Sequence, residues 1–262
     1  MRNHGAPGTL FLADKVETEQ EFSAARAMGY ALFQGYFFEK PFCLFKQLPS
    51  LSETPYGKLL SALTLPVPDV NTCAAVVWKD PMLSYMFHRE ERALNLPSGR
   101  LVTDVRISIY RMGAPQFRRW VCLAMMKQNG KAGTDELIRR AYQRGLFMEG
   151  LAGACDLPPG EQAGNCFLTG VLSLLDKVTG DSQERLLRGV NLPQSVRDAL
   201  RGRGRSAYVR LLQYAVIYEM GNERLILPDI GARLDDDGVV GLYMKCMTET
   251  DAALARMEDA NA

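Results

Sequence analysis

The 262-residue sequence predicts a mainly α-helical protein that begins with a short β-α-β unit. Two observations support this fold class. The first forty residues contain two short runs of strand type, TLFLA at 9–13 and the aromatic-rich ALFQGYFF at 31–38. After Pro41 the apolar residues recur with helical spacing, and proline, glycine and capping residues interrupt them as they do at helix ends.

The segment between the two strand-type runs has the end signals of a helix. Thr18 can cap its first turn, and Glu21, three positions later, completes a capping box. Gly29 suits the left-handed residue that follows a last helical turn. We therefore expect a strand, a helix and a second strand, with the two strands parallel and the crossover right-handed.

Helical patterns fill the remainder of the chain. Proline marks three helix starts, at Asp80-Pro81, Ala114-Pro115 and Leu192-Pro193. The predicted helices span 56–64, 70–78, 81–94, 101–111, 115–128, 135–154, 161–179, 183–189, 194–201, 206–220 and 237–259. The stretch from Phe42 to Pro55 contains two prolines and is the predicted linker.

Composition excludes several classes of function. Thirty-one basic and thirty acidic residues leave a formal charge of +1, so no overall field attracts nucleic acid or an anionic membrane. No apolar run approaches the length of a membrane span, and Asp14 and Lys15 interrupt the first one. The six cysteines are scattered without a C-x-x-C pair, which indicates reduced, mostly buried thiols in a cytoplasmic protein.

Few residues suggest metal or phosphate chemistry. His4 and His88 are the only histidines, too few for a histidine–aspartate metal site, so no metal or other cofactor is predicted. The run Asp235–Asp237 lacks the ligand spacing of an EF-hand and is interpreted as a helix N-terminus. The basic run Arg201–Arg205 could contact phosphate, but in a neutral chain we prefer a helix connection, and nucleic acid is not an expected partner.

Three residues near the start of one predicted helix are candidates for contact with a protein partner. Arg118, Arg119 and Trp120 follow Pro115, and arginine and tryptophan are the residue types that most often carry binding energy at interfaces. The alternative is a solvated charged face with one buried aromatic ring, which the same pattern also fits.

Two parts of the sequence resemble known signalling domains. Residues 13–18 (ADKVET), followed by 33–38 (FQGYFF) and by Lys40-Pro41, resemble the tail of EAL domains, which are barrels that hydrolyse cyclic di-GMP. The helical remainder is similar to an HDOD domain, most clearly at 79–86 (KDPMLSYM), 107–120 (ISIYRMGAPQFRRW) and 167–176 (FLTGVLSLLD). This order is that of bacterial EAL–HDOD signal transduction proteins. It implies a truncated EAL-like segment at 1–42 and a helical HDOD-like domain at 43–262, with the linker at about 42–55.

The resemblance carries little catalytic chemistry over to this chain. Asp14 falls where active EAL domains have a glutamate, and Gln34, twenty positions later, matches a glutamine of theirs, so the two are vestigial candidates for ligand binding. No catalytic residue is assigned, because the Glu-Ala-Leu strand and the metal ligands of EAL domains have no match in this sequence. HDOD domains likewise resemble metal-dependent phosphohydrolases without the metal ligands.

The function implied is a non-catalytic signal-transduction or scaffolding module that acts through protein–protein contacts in a cyclic-di-GMP-related context. The alternative is a cyclic-di-GMP phosphodiesterase fragment or a degenerate cyclic-di-GMP-binding protein. A third alternative, a divergent metal phosphohydrolase in the helical domain, is opposed by the two histidines.

Two strands cannot close a barrel, so their apolar side chains need another cover. Leu32, Phe33, Phe37 and Phe38 belong to the second strand-type run. We expect them to pack on the helical domain or to pair with a second copy of the chain, forming a homodimer through the N-terminal strands.

Overall fold

A computed structural model describes residues 11–16, 18–30, 32–34, 50–65, 67–96, 102–221 and 234–258. The described chain is mostly helical and begins with two short strands, β1 (Leu12–Ala13) and β2 (Leu32–Phe33). The strands are parallel, with Leu12 opposite Leu32 and Ala13 opposite Phe33. The predicted fold class and the predicted parallel pairing are therefore confirmed, while Phe37 and Phe38 lie outside the described residues.

Helix α1 (Glu19–Ala27) joins the two strands and has the predicted ends. The hydroxyl oxygen of Thr18 accepts from the backbone N–H of Glu21 at 3.2 Å, and the Glu21 carboxylate accepts from the backbone N–H of Thr18 at 3.0 Å. Gly29 has a φ of +87°, the left-handed conformation that glycine adopts without strain. The backbone N–H of Val16 donates to the carbonyl of Gln34 at 2.9 Å, which fixes the approach to α1 beside the end of β2.

Twelve further helices lie in the described part of the chain, after a 3-10 turn at Leu51–Glu53. They are α2 (Pro55–Leu63), α3 (Val70–Lys79), α4 (Pro81–Ala93), α5 (Val102–Met112), α6 (Ala114–Asn129), α7 (Asp135–Gly153), α8 (Ala163–Leu172), α9 (Leu175–Thr179), α10 (Gln183–Leu186), α11 (Gln194–Leu200), α12 (Ala207–Glu219) and α13 (Asp236–Glu258). Most of their ends lie within one residue of the predicted ends. The predicted linker at 42–55 falls mainly on residues outside the described ranges.

The prediction of one continuous helix at 161–179 was wrong, because the structure has α8 and α9 there. The break lies at Ser173, whose hydroxyl donates back to the carbonyl of Gly170 at 2.6 Å. The same hydroxyl accepts from the guanidinium of Arg144 at 2.8 Å. Such side-chain hydrogen bonds compete with the helical pattern, and this one depends on a residue of another helix.

Capping residues explain why the other boundaries were predictable. The Asp80 carboxylate accepts from the backbone N–H of Leu83 at 2.9 Å, and Pro81 occupies the first turn of α4. Asp235 accepts from the backbone N–H of Gly238 at 2.9 Å at the start of α13, so the acidic run lies at a helix N-terminus as interpreted. The basic run Arg201–Arg205 forms the exposed connection between α11 and α12.

The core is organised around α7, which packs against α6, α8, α9, α12 and α13. Its closest partner is α8, and the two backbones meet at Gly145 and Gly170. A Cβ atom added to Gly170 would lie 2.7 Å from the Cα atom of Gly145, and one added to Gly145 would lie 2.6 Å from Val171. Neither position has room for a side chain, so the two glycines set the distance between the helices.

The cysteines that the structure describes are free thiols. Cys73, Cys122, Cys166 and Cys246 are buried and Cys155 is half-buried, which agrees with the predicted reduced and mostly buried state. Burial raises the pKa of the Cys122 thiol to about 12. Within the described ranges, no helix has both the length and the apolar character that crossing a lipid bilayer requires.

Replacement of Gly170 by alanine tests the glycine contact. We expect Gly170→Ala to lower the free energy of unfolding by about 3 kcal/mol, because the new methyl group forces the α7 and α8 backbones apart. Gly241→Ala is the matched control, since Gly241 lies within α13 with nothing near its added Cβ, and alanine should stabilise the helix by up to about 1 kcal/mol. Urea unfolding followed by circular dichroism measures both changes, and equal effects would contradict the close contact.

Candidate functional site

A cavity of about 340 Å³ lies where the end of β2 meets helices α7, α12 and α13. We call it the Gln34 cleft. It brings together residues from four parts of the sequence, with amide, charged, aromatic and thioether side chains. Its lining consists of Phe33, Gln34, Glu136, Arg140, Gln143, Glu219, Tyr243 and Met247.

Helix α7 supplies one polar wall of the cleft. Glu136, Arg140 and Gln143 are spaced at i, i+4 and i+7, so they share one face of the helix. The face therefore presents a carboxylate, a guanidinium and a carboxamide in a row. Partial burial raises the pKa of the Glu136 carboxyl, and the positive charges of Arg139 and Arg140 oppose that rise.

A buried ion pair adjoins the cleft, with Glu219 in the cleft lining and Arg144 outside it. The side chains of Arg144 and Glu219 are each 7% exposed. Two guanidinium nitrogens of Arg144 donate to the two carboxylate oxygens of Glu219, at 2.8 and 2.5 Å. Arg140 is further from the same carboxylate, with an N···O distance of 4.0 Å. Arg144 thus engages both oxygens of Glu219, and the pair fastens α12 to α7.

Helix α13 supplies the apolar wall. The ring of Tyr243 meets Phe147 edge-on at 5.1 Å between centroids and contacts Tyr218 at 5.0 Å. Burial raises the pKa of the Tyr243 phenol to about 12, so its hydroxyl stays neutral at physiological pH. Met247, one turn further along α13, is 41% exposed at the edge of the cleft.

The two residues suggested for ligand binding directly follow the two strands, Asp14 after β1 and Gln34 after β2. Gln34 lines the cleft, and its backbone N–H donates to the carbonyl of Ala13 at 2.8 Å. Asp14 is exposed, and its carboxylate accepts from the backbone N–H of Lys15 at 2.8 Å. Among the described residues the cleft lining includes Gln34 but not Asp14, and the ligand-binding role of both stays a prediction.

The sheet faces the cleft on one side only. Phe33 lines the cleft, whereas Leu12 and Leu32, paired across the strands, are 49% and 46% exposed. Successive residues of a strand alternate between its faces, so the leucine pair forms the outer surface. Packing of the strands on the helical part and pairing with a second copy both stay predictions.

The candidates for partner contact divide into buried and accessible residues. Arg118 and Trp120 are only 6% and 2% exposed. A guanidinium nitrogen of Arg118 donates to the carbonyl of Leu63 at 3.2 Å, where a cation stabilises the C-terminal end of α2. Trp120 packs against the rings of Phe87 and Phe117 at 5.2 and 5.7 Å. In the folded chain these two side chains are not available to a partner. The buried indole of Trp120 agrees with the alternative in the sequence analysis, a charged face with one buried aromatic ring.

Arg119 is the accessible member of the three. Its side chain is 26% exposed and donates twice to one carboxylate oxygen of Glu149, at 3.0 and 2.8 Å. The guanidinium also lies 3.6 Å from the carboxylate of Glu249 on α13. Contact of Arg119 with a partner remains a prediction.

His88 is held by a carboxylate within its own helix. Its Nδ1 atom lies 2.6 Å from the carboxylate of Glu91, which is fully buried. Over the part of the chain that the structure describes, no three histidine, cysteine, aspartate or glutamate side chains are arranged to hold a metal ion.

Sequence reasoning missed most of the cleft. Arg144 offered one signal, because it is a charged residue between Ala141 and Met148 on the buried side of α7. Its partner Glu219 is 75 positions away, and nothing in the sequence connects the two. Tyr243 likewise reaches the cleft only through the packing of α13.

Comparisons with known proteins found two curated relatives. The chain is 25% identical over 250 residues to the uncharacterized protein YuxH of Bacillus subtilis, an alignment that covers 94% of this chain and 60% of YuxH. It is 30% identical over 193 residues to the cyclic di-GMP phosphodiesterase CdgJ of Vibrio cholerae, covering 74% of this chain and 44% of CdgJ. The chain therefore spans less than two thirds of the length of either relative. No family model and no solved structure matches it.

The buried Arg144–Glu219 pair can be tested by removing one charge. We expect Glu219→Gln to lower the free energy of unfolding by about 3 kcal/mol or more, because Arg144 would remain buried without a carboxylate. Asp251→Asn is the control, since Asp251 pairs with Arg139 at the exposed surface, where an ion pair contributes about 1 kcal/mol or less. Chemical denaturation of the three proteins compares them, and a loss for Glu219→Gln no greater than for the control would contradict a buried pair.

Proposed function

We propose that this chain is a non-catalytic signal-transduction or scaffolding module of the EAL–HDOD type, which acts through protein–protein contacts in a cyclic-di-GMP-related context. Three findings support the proposal. The chain is similar to a cyclic di-GMP phosphodiesterase over 193 residues. Its sequence resembles an EAL tail followed by an HDOD domain. Its fold, a parallel β-α-β unit before a mainly helical part, is the one that this order implies.

The proposal that the chain is non-catalytic rests on one observation: three carboxylates inside the helical part form ion pairs with arginines. Glu149 pairs with Arg119, Glu219 with Arg144, and Glu90 with Arg256 at 3.3 Å. Each pair joins two different helices, so these acids fasten helices together. A bundle braced in this way is a rigid support for surfaces that bind other proteins.

The domain boundaries belong to the same proposal. Residues 1–42 would be the truncated EAL-like segment and 43–262 the HDOD-like domain, with the linker at about 42–55. The exposed leucines of the outer sheet surface favour a homodimer as one form of protein contact, because an apolar strand pair of this kind is stabilised by being covered.

The alternative function is a phosphodiesterase fragment or a degenerate protein that still binds cyclic di-GMP. Asp14 and Gln34 keep the spacing of the EAL pattern, and Gln34 lies at a cleft. Two-metal hydrolysis needs several oxygen ligands that clamp the ions and position water. Two residues matching the EAL pattern are too few for that task, which is why we rank this function second.

Product analysis distinguishes catalysis from its absence. We expect no linear dinucleotide when the purified chain is incubated with cyclic di-GMP and either Mg²⁺ or Mn²⁺, because Asp14 and Gln34 supply too few metal ligands. An active EAL phosphodiesterase in the same buffers serves as the positive control, with chromatography as the readout. Linear product that disappears in the Asp14→Asn and Gln34→Ala variants would reject the non-catalytic proposal.

Cross-linking in the native host followed by affinity capture tests the protein contacts. We expect a stoichiometric partner, or a second copy of the chain, that is also recovered in the reciprocal capture. Arg119→Gln should reduce recovery severalfold, because Arg119 is the accessible partner-contact candidate. Lys127→Gln on the same helix, which removes a charge paired with Asp135, should not.

The purified chain distinguishes a second copy from another protein, since self-association makes the mass from light scattering rise with concentration. Capture that recovers no stoichiometric partner under several growth conditions, together with a constant monomer mass, would contradict the scaffolding function.

A further inference from the structure

Positive charge is concentrated in one segment of the chain, residues 181–210, which contains α10, α11 and the start of α12. The segment has seven arginines, no lysine and three acidic residues, a net charge of +4. Because the whole chain has a net charge of +1, the residues outside the segment together carry −3. The near-neutral total, which argues against nucleic acid for the chain as a whole, therefore hides a local positive field.

Contacts between α10 and α11 bring the charges of this segment to one part of the surface. A guanidinium nitrogen of Arg201, at the end of α11, donates to the carboxylate of Glu184 on α10 at 2.9 Å. Glu184, Leu187, Arg197 and Arg201 line one shallow depression between the two helices. Arg188, which is exposed, directly follows Leu187. The end of α10 and the connection that begins at Arg201 are therefore neighbours.

The connection between α11 and α12 presents further arginines to solvent. The backbone N–H of Arg203 donates to the carbonyl of Asp198 at 2.8 Å, which ties the connection to α11. Gly202 and Gly204 have φ angles of +66° and +87°, the left-handed conformation that glycine adopts without strain. Arg203 and Arg205, which alternate with these glycines, are both exposed.

Three of the seven arginines have side chains without a partner in the part of the chain that the structure describes. They are Arg188, Arg203 and Arg205, and we call them the free arginines. The other arginines of the segment interact with groups of the chain itself. The charge of the free arginines is therefore available to a ligand from outside.

The chemistry of the segment matches the phosphates of a nucleic acid. The planar guanidinium of arginine donates two parallel hydrogen bonds to one phosphate group, a geometry that lysine lacks. No large apolar side chain of residues 181–210 is exposed. Protein interfaces usually have a central aromatic or apolar cluster, and helices that bind a lipid surface insert apolar side chains. An acidic protein and a membrane therefore fit this surface less well than a nucleic acid does.

The same lack of exposed apolar side chains favours a duplex over a single strand. Proteins that bind single strands without sequence preference stack the bases on exposed aromatic rings. In a duplex the bases are already stacked on one another, and the phosphates form the accessible surface. Charge alone is then enough for binding.

We propose that the free arginines bind the phosphate backbone of a nucleic-acid duplex without reading its sequence. Each guanidinium neutralises one phosphate, and the left-handed glycines hold Arg203 and Arg205 on successive turns of the connection. Binding of this kind has a Kd of roughly 10⁻⁴ to 10⁻⁶ M at physiological salt and tightens as the salt concentration falls. DNA and RNA duplexes share the phosphate chemistry.

Fluorescence anisotropy of a labelled DNA duplex of mixed sequence, titrated with the full chain at several salt concentrations, tests the proposal. We expect saturable binding at low salt. The logarithm of the binding constant should fall against the logarithm of the salt concentration with a slope of about −3, since each neutralised phosphate contributes about −0.9. Competition with an unlabelled RNA duplex of the same sequence shows which duplex is preferred.

Charge-removing variants locate the binding. Arg203→Gln together with Arg205→Gln should make the slope shallower by about 2, and Arg188→Gln by about 1, because each removes its own phosphate contact. The matched control is Arg106→Gln together with Arg111→Gln, which removes two exposed arginines from α5 and should leave the slope unchanged. Thermal unfolding of each variant confirms that it is folded.

Three results would overturn the duplex site: no binding of either duplex at low salt, a slope that the free arginines do not alter more than the control does, or tighter binding of a single strand. Two further probes test the rival partners. Vesicles of phosphatidylglycerol and phosphatidylcholine, or polyglutamate, that bind as tightly as the duplex and lose binding in the same variants would reassign the surface to a membrane or an acidic protein. The scaffolding function is decided separately by capture of a protein partner, so failure of the duplex site leaves that result unaffected.

Discussion

The contact between the backbones of α7 and α8 at Gly145 and Gly170 is the constraint on which the helical part depends. Two helices with side chains at their crossing usually lie 8–10 Å apart, and glycine at both positions allows the smallest separation. Here a methyl group on either residue would overlap the other helix. Because α7 also packs against α6, α9, α12 and α13, the glycine contact sets the positions of those helices as well.

The residue before Gly145 then has to be accommodated near the crossing. Arg144 cannot reach solvent from this depth, and a buried guanidinium is costly unless a carboxylate and further hydrogen bonds accompany it. Glu219 at the end of α12 provides the carboxylate, and the hydroxyl of Ser173 provides the additional acceptor. Arg144 thus holds the end of α12 through Glu219 and also donates to Ser173, where α8 ends and α9 begins. The surrounding ion pairs are more exposed and contribute less to stability.

The parts of the fold that the sequence predicted are those coded locally. The capping box of Thr18 and Glu21 and the Asp80-Pro81 start each involve residues within four positions, so their physical cause is visible in the sequence. The break at Ser173 was missed because it depends on Arg144, 29 positions earlier. Arg118 was expected at the surface because its partner, the carbonyl of Leu63, is 55 positions away and the local sequence does not reveal it.

The cleft was unpredictable because it arises from a gradient of burial along α7. Glu136, Arg140 and Arg144 follow one another at four-residue intervals, and their side chains are 56%, 31% and 7% exposed. A four-residue step advances slightly more than one turn, so the row drifts around the helix from the cleft lining at Glu136 and Arg140 to the buried side at Arg144. The same residue type therefore has two roles one turn apart. At Arg144, low exposure strengthens electrostatic attraction and makes the Arg144–Glu219 pair structural, whereas Arg140, one turn earlier, lines the cleft 4.0 Å from the same carboxylate.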